Sequence, residues 1–197
     1  MPAQSNGVVL FAHGSGSSRH SPRNTYVAGV LRDAGLGTLL FDLLTATEDR
    51  DYAMRFDIPL LTARLVAATH WILRESPAAS VPIGYFGAST GAAAALAAAA
   101  ELRTRIGAVV SRGGRPDLAG ATALPRVSAP TLLIVGGHDP AVIELNREAY
   151  AQLGCVKALQ IVPGATHLFE EPGTLEQVAT AASDWFARWL GAKPQSD

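Results

Sequence analysis

The feature that most restricts the fold is an alternation of two patterns. Short apolar runs, most of them next to a glycine or proline, are each followed by a longer stretch with apolar residues at helical spacing. "GVVLFAHG" (7–14), "GTLLFDLL" (37–44), "VPIGYFG" (81–87), "RIGAVVS" (105–111), "PTLLIVGG" (130–137) and "CVKALQIVP" (155–163) read as strands. Helices are expected over 21–35, with Ser21 as N-cap and Pro22 in the first turn, then over 57–75 and 90–103, and near 140–153 and 173–190. A repeated β-then-α order predicts a mostly parallel sheet of about six strands with helices on both faces. No repeat or linker interrupts the pattern, so residues 1–197 are expected to form a single domain.

Composition narrows the function classes. Of 197 residues, 48% are hydrophobic, enough for a substantial core, and the formal charge of −1 offers no attraction to nucleic acid or an anionic membrane. Cys155 is the one cysteine, so packing must hold the fold without an internal disulfide. The N-terminal stretch lacks a basic signal-peptide start, and the alanine-rich run Ala92–Ala100 is far shorter than the roughly 18 apolar residues of a membrane span. A cytoplasmic protein is expected, with no metal site and no nucleic-acid or membrane partner.

In a parallel sheet of this kind, sites form beyond the carboxyl ends of the strands. The segments to search are 13–24, 45–57, 88–91, 112–130, 138–140 and 163–173. Ser89 lies in Gly87-Ala88-Ser89-Thr90-Gly91, a G-x-S-x-G pattern between an expected strand and an expected helix. Small flanking residues suit a sharp turn that exposes a nucleophile. Neither G-x-x-x-x-G-K-[ST] nor G-x-G-x-x-G fits the same glycines, which argues against a phosphate loop.

A serine hydroxyl needs a base to take its proton. His167, in the loop after the last strand, is the candidate; His70 falls inside a helix and His20 in a polar loop. The base needs a carboxylate to orient it. Asp139 follows the fifth strand and precedes Pro140, where it could equally be a helix N-cap, and Asp117 is a weaker alternative acid. "FAHGSGSSRH" (11–20) supplies small residues after the first strand. One oxyanion donor is expected from Ser15 or Gly16 and another from the Thr90 N–H, with His13 bracing the loop.

Together, "VVLFAHGSGSS", "GYFGASTGAA", "LLIVGGHDP" and "GATHLF" resemble the α/β-hydrolase superfamily, and within it a dienelactone-hydrolase-like branch, over nearly the whole chain. The resemblance implies a hydrolase with a nucleophile–His–Asp triad and no cofactor. Dienelactone hydrolases proper use cysteine, whereas position 89 is serine, which points to an ester or similar acyl substrate. The first strand begins near residue 7, so a minimal version of the fold without the superfamily's N-terminal hairpin is expected. Residues 112–130, interrupted by Pro116, Pro125 and Pro130, are too few for a cap domain.

The expected substrate is therefore a small or medium soluble ester or lactone. The alternatives are a non-catalytic binding protein, or acyl transfer or peptide cleavage by the same triad. Seven arginines (Arg19, Arg23, Arg50, Arg55, Arg112, Arg115, Arg126) fall in the searched loops, but acidic residues there could pair with them. Arg112 is the candidate substrate contact because it directly follows an expected strand.

Overall fold

The computed structural model describes residues 5–75 and 82–191. Six strands form one parallel sheet: β1 (Val8–Ala12), β2 (Gly37–Leu40), β3 (Ile83–Ala88), β4 (Ile106–Arg112), β5 (Thr131–Gly136) and β6 (Lys157–Val162), in the spatial order β2-β1-β3-β4-β5-β6. Helices α1 (Pro22–Asp33) and α5 (Thr174–Leu190) cover one face; α2 (Ile58–Glu75), α3 (Thr90–Leu102) and α4 (Pro140–Gln152) cover the other.

Successive side chains of a strand point to opposite faces. Val8, Leu10, Tyr85, Val109 and Leu133 accordingly pack under α2, α3 and α4, while Val9, Phe11, Phe86, Val110 and Ile134 pack under α1 and α5. Both faces of the central strands are covered, which is why these strands read as unbroken apolar runs. Residues 113–130 between β4 and β5 form only short turns at Pro116–Ala119 and Leu124–Arg126, with no cap inserted.

Several expected boundaries shift. The second strand ends at Leu40, because beyond it the chain turns to the loop after β1: Leu43 donates its N–H to His13 Nε2 at 3.0 Å, and Asp42 pairs with Arg19. The sixth strand starts at Lys157, two residues later than expected. Val81, at the start of the expected third strand, lies outside the described residues. Helix α1 begins as anticipated, with Ser21 Oγ accepting from the Asn24 N–H at 3.4 Å.

The strand order positions the site. The chain leaves β1 for α1 on one face and leaves β3 for α3 on the other, and these two strands are neighbours. Their outgoing loops diverge and open a crevice at the carboxyl edge. The oxyanion candidates and Ser89 are carried by those two loops.

Candidate active site

Ser89 occupies φ 50°, ψ −120°, a conformation that L-residues rarely adopt. The turn is held by backbone bonds: the Ser89 N–H donates to Arg112 O at 3.3 Å, and Ser89 O accepts from Ala92 and Arg115, each at 3.1 Å. Its flanking glycines are sterically required. A Cβ on Gly91 would sit 2.1 Å from Ala12 O, and one on Gly87 would sit 2.5 Å from Ala92 Cα. Gly14 is similarly tight, with Ser89 Cβ 3.0 Å from where its own Cβ would lie. The first and third loops therefore touch at the nucleophile candidate.

Asp139 and His167 meet across 2.7 Å, from Oδ2 to Nδ1. A carboxylate only accepts, so this bond puts the ring proton on Nδ1 and leaves Nε2 as the acceptor. Asp139 makes no side-chain capping bond to α4, so its placement before Pro140 serves the imidazole rather than the helix. Asp117, the weaker alternative acid, accepts instead from Arg115 Nε and Nη2 at 2.9 and 2.7 Å. The loop bearing His167 is clasped by Glu171, which accepts from the Thr166 N–H at 3.0 Å and from the Thr166 hydroxyl at 2.6 Å. Phe169, two residues past the histidine, is buried at φ 56°. A Cβ on Gly113 would lie 3.1 Å from His167 O and 3.6 Å from its Cε1, so the strap after β4 runs beneath the histidine.

His13 braces the first loop, as expected. Its Nε2 accepts from Leu43, which places the proton on Nδ1 for donation to Gly14 O at 3.0 Å. Gly16 lies at φ 66° and is exposed beside Ser15, and Thr90 is buried at the first turn of α3.

Arg112 departs from its expected position. It is the last residue of β4 rather than the first residue beyond it, and its side chain is only 8% exposed. The guanidinium lies 5.9 Å from the centroid of the Phe169 ring, and its Nε and Nη1 have no partner among the described residues. Burial holds its pKa down at about 10, assisted by repulsion from Arg23. Arg112 is thus a buried cation behind the histidine loop, not part of an open rim. Four other loop arginines are paired: Arg19 with Asp42, Arg23 with Glu170, Arg55 with Asp49 and Arg115 with Asp117.

A groove of about 620 Å³ runs between α2, α3 and the turns after β4, but Ser89, Asp139 and His167 do not line it. A depression of about 220 Å³, lined by His13, Ser17, Ser18, Asp42, Leu44, Ala46 and Asp49, lies on the edge where the three residues emerge. No group of three or more His, Cys, Asp or Glu side chains among the described residues could hold a metal ion. No described helix is long and apolar enough to cross a membrane.

The arrangement of sheet, strained serine turn and carboxylate–imidazole pair is that of an α/β-hydrolase. A dienelactone hydrolase from Anabaena variabilis is 58% identical, covering 96% of this chain and 89% of that one, with a TM-score of 0.94. The chain belongs to the α/β-hydrolase superfamily, in its dienelactone-hydrolase-like branch. Est1E from Butyrivibrio proteoclasticus, at 16% identity, TM-score 0.81 and coverage of 97% and 90%, shares the fold. Two Mycobacterium tuberculosis proteins named "Putative phosphoribosyl transferase" are 62% identical over 186 residues, 94% of this chain. The chain spans 42% of the length of those relatives. No family model matches the chain.

Proposed function

We propose that the protein is a serine hydrolase that cleaves a small or medium soluble ester or lactone through an acyl-enzyme. The observation that carries this reading is the 2.7 Å Asp139–His167 pair at the sheet edge that also carries Ser89 on its strained turn. Ser89 Oγ attacks the substrate carbonyl while His167 Nε2 takes its proton, and Asp139 stabilises the imidazolium that forms. The oxyanion is held by the Thr90 N–H and by an N–H of Ser15 or Gly16. Collapse of the tetrahedral species breaks the ester C–O bond, and His167 returns the proton to the leaving alkoxide. Water then attacks the acyl-serine by the same route, freeing the acid and regenerating the hydroxyl. With a lactone, the leaving hydroxyl stays on the acyl group.

The relative from Anabaena variabilis, a dienelactone hydrolase by name, supports a carboxylic ester or lactone as substrate. The transferase name of the mycobacterial relatives belongs to proteins more than twice as long, of which this chain spans 42%. Soluble substrates are favoured because no cap between β4 and β5 covers the edge.

The test is reaction of intact protein with a fluorophosphonate, read by mass spectrometry, beside p-nitrophenyl acetate turnover. One adduct and measurable turnover are expected for the wild type, and both should vanish in Ser89→Ala with its circular dichroism unchanged. Turnover retained in Ser89→Ala would overturn the assignment. No adduct on folded wild type would favour a binding protein built on this fold.

A further inference from the structure

The segment between β2 and α2 is more highly built than a connecting loop requires. Thr45 and Glu48 cap one another reciprocally: Glu48 Oε2 accepts from the Thr45 N–H at 2.7 Å, and Thr45 Oγ1 accepts from the Glu48 N–H at 3.3 Å. Glu48 also anchors Arg64 of α2 at 2.9 Å. Asp51 and Asp57 accept the N–H groups of Ala53 and Leu60 at 2.9 and 3.0 Å. The segment is thereby fixed at several points: Leu43 and Leu44 anchor it in the core, Met54 packs against that core, and Arg55 is left half-buried beside the loop after β1.

Arg55 is gripped on one edge only. Its Nε and Nη2 donate to Asp49 O at 2.8 and 2.6 Å, and Nε lies 3.1 Å from the Asp49 carboxylate. The other edge, Nη1, sits 3.5 Å from where a Cβ on Gly16 would lie. Arg55 also lines, with Ser15 and Thr90, a void of about 10 Å³, room for one water at most. The Thr90 hydroxyl, on a residue 1% exposed, has no partner among the described residues. A half-buried guanidinium thus lies against the loop after β1 and shares a small void with Thr90, the two places expected to supply oxyanion donors.

We propose that Arg55, braced on Asp49, is a positioning residue of the oxyanion hole: it backs the Gly14–Ser17 loop against Thr90 and sets a fixed positive charge behind the backbone donors. This rests on the serine-hydrolase reading above. The loop it backs is glycine-rich: His13 and the close approach of Ser89 hold its start, and Gly16, at φ 66°, is the exposed glycine that Arg55 faces. A charge fixed before the reaction stabilises a developing oxyanion without reorganising, and counts for more where water is excluded. Being fixed behind the loop, it acts on the transition state more than on the neutral ester. Its loss should therefore appear in kcat and leave KM largely alone.

The experiment compares wild type with Arg55→Met, Arg55→Lys and Asp49→Asn for kcat and KM on p-nitrophenyl acetate, for fluorophosphonate labelling rate, and for thermal unfolding. Arg55→Met is expected to lower kcat and the labelling rate by about 10- to 100-fold, with KM within about twofold. Arg55→Lys should recover part of the loss, and Asp49→Asn, which keeps the bonds to Asp49 O and removes only the carboxylate contact, should lower kcat by less than Arg55→Met does. If Arg55→Met does not fold, the other two variants carry the test, and wild-type kcat in both would overturn the proposal. So would wild-type kcat in a folded Arg55→Met, or a defect confined to KM, which would mark Arg55 as a substrate contact. Wild type that neither labels nor turns over removes the hydrolase reading itself and this inference with it.

Discussion

Ser89, in the turn just past β3, and Arg112, the last residue of the neighbouring β4, bear opposite relations to the sequence. The glycines at 87 and 91 announce a turn that no larger residue tolerates, because the backbone of β1 lies where a Cβ at 91 would go. The burial of Arg112 has no such local signal. A charged residue after an apolar run reads as a loop residue, yet register pairs Arg112 with Ala88 and Ile134 and turns its side chain inward. A guanidinium buried with no carboxylate partner among the described residues costs the folded state, and that burial holds its pKa down at about 10, below the ordinary arginine range. The sign follows: the unfolded chain binds this proton more tightly, so the penalty is present at all pH below about 10 and is relieved as pH rises above it. Arg112→Met is therefore expected to stabilise the protein at pH 7 by about 1–4 kcal/mol, measured by urea unfolding. A destabilised variant would mean that the charge has an uncounted partner.

The loops show what local chemistry can specify. The Thr166–Glu171 clasp fixes the loop that carries His167, and the hydrogen bonds from Thr166 hold the Glu171 carboxyl below its ordinary value of 4.5. A carboxyl depressed on folding contributes stability above its unfolded pKa and loses it as pH falls through the folded one. Acidification below 4.5 should release this loop, and Thr166→Val should move the release to higher pH, followed by the Glu171 side-chain carboxyl shift in NMR. An unchanged midpoint in the variant would dissociate the clasp from the loop's acid response. The segment over 45–57 carried a readable signal too, since T-x-x-E at Thr45 and Glu48 is a capping pattern. Its partner across the fold was not readable. Arg55 reaches Gly16 only because β2 stops at Leu40 and lets the chain turn back over β1.

Across the whole molecule, the sheet is graded from edge to centre. The side chains of β1, β3 and β5 are buried throughout, whereas β2 and β6 are half-exposed edges. Native-state hydrogen exchange should therefore be slowest at amides of Val9–Phe11, Tyr85–Gly87, Val109–Ser111 and Leu133–Val135, with Lys157–Val162 faster. Equal protection at β6 would indicate that its outer edge is covered in solution. The order of apolar runs and helical stretches, with Gly87, Ser89 and Gly91 between two of them, was sufficient for the parallel α/β architecture and for the residues worth testing. Those are properties of neighbours in the chain: period, turn chemistry and a motif five residues long. Which acid meets His167, which arginines are taken up in ion pairs, and which guanidinium reaches Gly16 were decided only in three dimensions. Each depends on strand order and register, which bring together residues dozens of positions apart whose one-dimensional surroundings say nothing of one another.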